Sequence, residues 1–140
     1  MNWKWIIRLS SFGIVMGLAS VMGLTKGIEG WFWLIIGLIC AYTLVRFVES
    51  RHLLHGFIVG LIGGGVAPLI QAAMFSTYVG NNSAVAEKFG QIQTQTGFEP
   101  RMLVLFLTPV IAVVSGAVVG LLTWLLARLF KRRASQASTA

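Results

Sequence analysis

Four long apolar runs, separated by polar connections, constrain the fold of this chain more than any other feature. They cover approximately residues 6–24, 31–48, 53–79 and 102–130. A helix needs about 20 residues to cross the hydrocarbon core of a bilayer, and each run reaches or approaches that length. Because only 11% of the residues are charged, the chain has too little charge to cover a water-soluble surface. We therefore predict an all-α fold, with one four-helix membrane domain over residues 1–133 and a disordered tail at 134–140.

The positions of the basic residues predict how these helices are oriented. If both termini lie in the cytoplasm, only Lys26, Lys88 and Arg101 of the 11 lysines and arginines lie outside. The others lie on the cytoplasmic side, as the positive-inside rule requires. The turns at 25–30 and 49–52 are short, so consecutive helices are expected to be antiparallel neighbours. The sequence thus predicts a four-transmembrane-helix antiparallel bundle with both termini cytoplasmic.

The long hydrophilic connection at 80–101 lies outside in this orientation. Ser83 is a candidate N-cap for a short helix within it. Val85, Phe89 and Ile92 follow at helical spacing and would share one face of that helix. We expect the helix to lie at the membrane surface or over the mouth of the bundle.

The glycine-rich stretch GFIVGLIGGGVAP at residues 56–68 admits three interpretations. A nucleotide-binding loop usually needs a lysine for the phosphates, and this stretch has none nearby. A flexible linker would leave unpaired backbone groups exposed to lipid. Small residues at every fourth position instead form a helix face that another helix can approach closely. We predict such a helix-packing seam from Gly13, Gly17, Gly56, Gly60, Gly64, Ala112, Gly116 and Gly120. Whether it packs within one chain or between copies stays open.

Pro68 and the three glycines at 63–65 also permit a helix that is broken near the membrane midplane, as in transporters that bind substrate there. Gln71 lies one turn beyond Pro68 and would supply a polar group beside such a break. The simpler alternative is a kinked, packed helix in which Gln71 bonds the backbone of a neighbour. Gln71 is therefore a candidate for a polar pathway, and both alternatives stay open.

The turn RFVESRHLLH holds a dense group of ionisable residues. Glu49, His52 and His55 follow one another at three-residue spacing, so a helix would place them on one face. Metal sites in helical bundles use two Glu-x-x-His motifs with further carboxylates, whereas this chain has one such motif. We expect a charge cluster facing the lipid headgroups here, and no metal.

The segment RLFKRR at the end of the fourth run is predicted to anchor the chain to anionic lipid headgroups. Its basic residues are Arg128, Lys131, Arg132 and Arg133. The basic residues of the chain sit at the ends of apolar runs and form no continuous face, which argues against nucleic acid as a partner. No acidic residue falls at mid-membrane, which disfavours a proton-coupled antiporter. No nucleophile–base pair or haem attachment motif is evident, so we expect neither an enzyme nor a cofactor.

The second half of the chain resembles a group of small bacterial four-helix integral membrane proteins of unknown function. The resemblance lies in HGFIVGLIGGGVAPLIQAAMFSTYV, the polar AEKFGQ, and LVLFLTPVIAVVSGAVVGLLTWLLARLFKR. It implies a multi-pass protein of the bacterial inner membrane and carries over no activity or functional residue. The small-residue seams and the lack of a recognisable catalytic set favour a non-enzymatic accessory subunit or scaffold that packs against other membrane helices. The alternative is a small homo-oligomeric transporter or channel.

Overall fold

The computed structural model describes residues 1–137, with side chains up to Phe130, and is helical over most of that length. The helices are α1 (Trp3–Ser10), α2 (Phe12–Val21), α3 (Glu29–Phe47), α4 (His52–Ala73), α5 (Phe75–Asn81), α6 (Ser83–Thr96) and α7 (Pro100–Ala137). Helices account for 85% of the residues, and no strand occurs within residues 1–137. The predicted all-α fold is confirmed.

Within residues 1–137, four segments are long and apolar enough to cross a membrane. They are Trp3–Val21, Glu29–Phe47, His52–Ala73 and Pro100–Phe130. α1 and α2 together form the first span, because Ser11 between them keeps helical dihedral angles (φ −62°, ψ −20°). α4 and α7 continue through Pro68 and Pro109. The spans overlap the four predicted apolar runs and indicate a membrane protein.

Two helix boundaries differ from the sequence predictions. The third span ends at Ala73, not near residue 79, because Met74 leaves helical geometry (φ −107°, ψ 36°) before α5 begins. α7 continues to Ala137, so residues 134–137 are helical where a disordered tail was predicted. The segment KRRASQA is rich in good helix formers, which supports this continuation. Residues 138–140 of the predicted tail lie outside the described residues.

α6 lies within the predicted hydrophilic connection, but Ser83 does not cap it. Ser83 is the first helical residue, and the cap position belongs to Asn82, which makes no capping hydrogen bond. The Asn82 amide instead donates to the Ser20 carbonyl at 3.0 Å and the Tyr78 carbonyl at 2.8 Å. On the predicted face, Phe89 packs against Phe75 with ring centroids 5.5 Å apart and the ring planes tilted by 59°. This contact joins α6 to α5.

α4 is the central helix of the molecule. It packs along α7 over the greatest length and also contacts α1, α2 and α3, whereas α3 rests mainly on α7. One apolar cluster lies where α1 meets α3 and α4, and its members are Ile6, Leu9, Cys40, Leu44, Val48 and Val59. Between helices surrounded by lipid, such packing is stabilised mainly by dispersion contacts, since lipid tails are as apolar as leucine.

The outer surfaces of α3 and α7 are covered by large apolar side chains. Trp31 is 69% exposed and Phe106 is 67% exposed, and most of their apolar neighbours on these helices are similarly open. A water-soluble monomer rarely exposes continuous apolar surface of this extent. These faces are therefore suited to a lipid environment or to other membrane helices.

Candidate functional site

The predicted seam residues of α4 lie directly on α7. A methyl group built at Gly56 would stand 2.9 Å from Gly120 Cα, and one built at Gly60 would stand 2.8 Å from Gly116 Cα. At Gly64 the same group would lie 3.5 Å from the Ile111 carbonyl oxygen. The approaches at Gly56 and Gly60 are shorter than ordinary carbon–carbon contacts of about 3.5–4.0 Å, whereas the approach of Gly64 to Ile111 is an ordinary contact. At Gly56 and Gly60 the two backbones touch because these residues have no side chain, while at Gly64 the Ser115 side chain of α7 packs against the α4 backbone.

The α7 half of this seam is also made of small residues. Gly116 and Gly120 lie against the backbone of residues 53–57, where a methyl group would come within 2.8 Å of the Phe57 carbonyl oxygen and 3.0 Å of the Leu53 carbonyl oxygen. Ala112 is buried. A methyl group at Gly65 would make an ordinary 3.4 Å contact with the Ala112 Cβ. Gly56, Gly60, Gly64, Ala112, Gly116 and Gly120 therefore form one interface, which we call the α4–α7 seam.

Gly13 and Gly17 belong to a second interface on another face of α4. Gly13 lies against Gly63, with 2.6 Å from a built methyl group to Gly63 Cα. Gly17 lies against Ala67, with 3.1 Å to its Cα. This α2–α4 seam uses Gly63, which the sequence interpretation assigned to a possible helix break. α4 contains no break at that point, and Gly63 serves as a packing residue.

Gln71 lies in a polar cluster at the end of the bundle where α2 and α4 finish and α3 begins. Its amide nitrogen donates to the Ser20 hydroxyl at 2.9 Å and reaches Glu29 Oε1 at 3.5 Å. The Ser20 hydroxyl donates to Glu29 Oε2 at 3.3 Å. Ser20 is 1% exposed, whereas Glu29 and Gln71 are half-buried. We call Ser20, Glu29 and Gln71 the Glu29 cluster.

This arrangement differs from both sequence hypotheses for Gln71. The residue stands near the end of its span, and its partners are side chains from α2 and α3, not a neighbour's backbone. The sequence pattern predicts an external turn at Glu29 and assigns no role to Ser20. A polar residue near the same end of three spans could have indicated this cluster. These residues are Ser20 near the end of the first span, Glu29 at the start of the second and Gln71 near the end of the third.

Tyr78 of α5 and Asn82, the residue that caps the C-terminus of α5, also lie at this end of the bundle. Burial raises the pKa of the Tyr78 hydroxyl above its ordinary value, and the Glu29 carboxylate raises it further, while the Ser20 hydroxyl acts in the opposite direction. Asn82 ties the Tyr78 carbonyl to the Ser20 carbonyl through one amide. The Glu29 carboxyl group of α3 therefore accepts hydrogen bonds from Ser20 of α2 and Gln71 of α4 and lies near Tyr78 of α5.

Glu49, His52 and His55 are not brought together. His55 is 2% exposed; its Nε2 accepts a hydrogen bond from the Asn2 backbone N–H at 2.9 Å, and its Nδ1 lies 3.0 Å from the Arg51 carbonyl oxygen. Both ring nitrogens are occupied within the chain, which fits the neutral imidazole with the proton on Nδ1. Within the described residues, no three histidine, cysteine or acidic side chains gather as a metal site would require. His55 fixes the N-terminus against the start of α4.

The predicted headgroup anchors lie at the far end of α7. The Arg128 guanidinium stacks on the Trp124 ring at 4.0 Å from its centroid, a cation–π contact. The backbone of Lys131, Arg132 and Arg133 continues the helix, and their side chains lie outside the described residues. The 38-residue α7 is about 57 Å long at 1.5 Å per residue, well beyond a hydrocarbon core of about 30 Å.

Comparison of this chain with protein-family models, with curated proteins and with solved structures gives no match. Its function is therefore inferred from the geometry of the chain itself.

Proposed function

We propose that this chain is a non-enzymatic accessory subunit or scaffold of the bacterial inner membrane that acts through helix packing. The observation that carries the proposal is the contrast between α4 and α3. The small residues of α4 are occupied by α2 and α7 of the same chain. α3 instead fully buries only Gly37, Cys40, Ala41 and Leu44, and its remaining side chains are half-buried or exposed. A rigid core that presents an apolar helix as exposed as α3 is suited to hold another membrane helix.

The chemistry-bearing side chains support a non-enzymatic role. Glu29 accepts hydrogen bonds from Ser20 and Gln71, and His55 is held between Asn2 and Arg51. Each is engaged in positioning a helix end.

The proposed topology is an antiparallel bundle with both termini in the cytoplasm. The register of the α4–α7 seam supports antiparallel packing, because Gly56, Gly60 and Gly64 lie against Gly120, Gly116 and Ile111 in that order. The excess of lysine and arginine at the ends that would face the cytoplasm supports the orientation. Attraction of α7 to anionic lipid, through Arg128 and the basic residues after it, is part of the same proposal.

Site-specific photo-crosslinking from α3 tests the accessory role. A photoreactive residue at Ile39, 48% exposed on α3, is compared with one at Val113, 52% exposed on α7. We expect Ile39 to give a discrete adduct with a different membrane protein in native membranes, and Val113 to give mainly lipid adducts. Lipid adducts alone from both positions would contradict the proposed use of α3.

The alternative function is a small homo-oligomeric transporter or channel. The Glu29 cluster favours it, because a half-buried carboxylate held by two spans is a common element of polar pathways. The continuous α4 offers no broken helix at Gly63, which weakens this alternative. Solute flux into liposomes containing the purified protein, abolished by Gln71→Leu, would favour the transporter and contradict the scaffold.

A further inference from the structure

A cavity of about 260 Å³ lies beneath the first half of α3, between this helix and the other three spans. Its wall is made of apolar side chains and glycine backbone, and its polar side-chain atoms belong only to Trp33, Cys40 and Ser115. Gly30 and Gly37 line it along α3, while Gly60, Gly63 and Gly64 line it along α4. None of the predicted site roles accounts for this space.

The cavity exists because α3 packs only through its second half. The buried residues of α3 begin at Gly37, and Trp31, Leu34 and Ile35 in the first half are exposed. On the opposite wall, the glycines of α4 present backbone where larger side chains would fill the space. The Glu29 cluster ties the first turn of α3 to α2 and α4, which fixes the width of the gap.

The cavity is continuous with the lateral surface of the bundle. Leu34 of α3 and Val114 and Val118 of α7 line it and are each about half exposed. Apolar cavities of about 150 Å³ stay dry and bind apolar molecules, so water is a poor occupant for this larger one. In a bilayer, the molecules that reach a lateral opening at this depth are hydrocarbon chains.

We propose that this cavity binds one acyl chain of a membrane phospholipid. The acyl chain would supply the dispersion contacts along Trp33, Gly37 and Val114 that are missing when the cavity is empty. The cavity reaches Gly30 in the first turn of α3, and Lys26 lies in the turn immediately before that helix. Lys26 therefore stands at the level where the anionic phosphate of the same lipid would lie. This site requires placement in a bilayer but not the accessory role, so failure to find a partner subunit would leave it standing.

The test fills the cavity without disturbing a seam. A methyl group at Gly37 would make only ordinary contacts, 3.8 Å to Leu122 and 3.8 Å to Val119, so Gly37→Leu directs its side chain into the space. The control is Gly90→Leu, on the exposed surface of α6, where a methyl group meets nothing within 4 Å. Both proteins and the wild type are delipidated in detergent, mixed with palmitoyl-oleoyl phosphatidylglycerol and analysed by native mass spectrometry.

We expect the wild type and Gly90→Leu to retain one lipid per protein molecule at a collisional activation energy in the mass spectrometer that removes all lipid from Gly37→Leu. Equal retention by all three proteins, or no retention by the wild type, would overturn the proposal. Should Gly37→Leu fail to fold, phosphatidylglycerol with a diazirine on its acyl chain replaces it as the test with the wild-type protein. Adducts at Trp33 or at Cys40, which lines the cavity and is 3% exposed, support the cavity, and adducts confined to outer residues such as Phe106 contradict it.

Discussion

At the scale of single residues, the absence of a side chain is the property that most shapes this molecule. Gly60 is the clearest case, because a methyl group there would overlap the Ser115 carbonyl and stand 2.8 Å from Gly116 Cα. Gly90 is a glycine of the opposite kind, exposed on α6 and close to nothing. The two positions permit a matched comparison of packing and helix propensity.

We expect Gly60→Ala to destabilise the protein by about 1–3 kcal/mol, because α4 and α7 must separate to admit the methyl group. Gly90→Ala should instead be neutral or stabilising by up to about 1 kcal/mol, since alanine is the better helix former. Reversible unfolding of both variants in mixed detergent measures the difference. Equal stability of the two variants would show that the seam does not hold the bundle together.

The raised pKa of Tyr78 gives a second residue-scale expectation. A tyrosine whose pKa is higher in the folded state holds its proton more tightly there. Stability is therefore unaffected below the ordinary tyrosine pKa of about 10 and falls as pH rises through the higher folded value. Tyr78→Phe should therefore remove the part of the fall in folding stability at alkaline pH that comes from ionisation of this hydroxyl.

Glu29→Gln tests the cause of that shift, because it removes a charge that raises the pKa of Tyr78. In a Tyr42→Phe background, which leaves one tyrosine, tyrosinate absorbance reports Tyr78 alone. We expect its titration to move to lower pH in Glu29→Gln. An unchanged midpoint would mean that the carboxylate does not act on Tyr78.

At the scale of whole helices, α4 and α3 have contrasting packing. α4 is surrounded by the other three spans and buries residues along its full length, from His55 to Ala72. α3 buries residues only from Gly37 onward, and its first half is attached through Glu29. Stability within a helix follows its buried contacts, so the two halves of α3 should open with different ease.

Hydrogen exchange in lipid nanodiscs measures this difference. We expect amides of residues 33–36 to exchange faster than those of residues 40–44, and Glu29→Ala to accelerate the first group only. The middle of α4 should be the slowest region and serves as the internal reference. Uniform protection along α3 would contradict the half-packed description.

At the scale of the whole molecule, the uneven distribution of basic residues over four candidate spans predicts that both termini are cytoplasmic. Ser50 lies in the exposed turn between α3 and α4, and Gly90 lies on α6. In a Cys40→Ala background, Gly90→Cys should react with an impermeant maleimide in intact spheroplasts. Ser50→Cys should react only after the membrane is opened. The reverse pattern would place both termini outside.

Much of this organisation follows from local sequence pattern, and the rest depends on distant partners. Each of the four spans, and the small-residue spacing on α4, can be recognised within one continuous stretch of sequence. Both features were therefore predictable. The pairing of Gly13 with Gly63 and of Gly17 with Ala67 depends on how two helices are placed against each other. Local sequence pattern does not show this placement. Likewise Ser20, Glu29 and Gln71 come from three spans. Asn82 replaced Ser83 at the cap position because α5 ends at Asn81, an end that hydropathy does not mark.

Native mass spectrometry of the tagged protein, extracted gently from its own host membrane, tests the proposed accessory role most directly. The proposal predicts co-purification with one or more different membrane chains at fixed stoichiometry, and loss of those chains when Ile39 on α3 is replaced by arginine. The matched replacement Val113→Arg on α7 should keep them. A stable homo-oligomer, or a bare monomer, would contradict the accessory role.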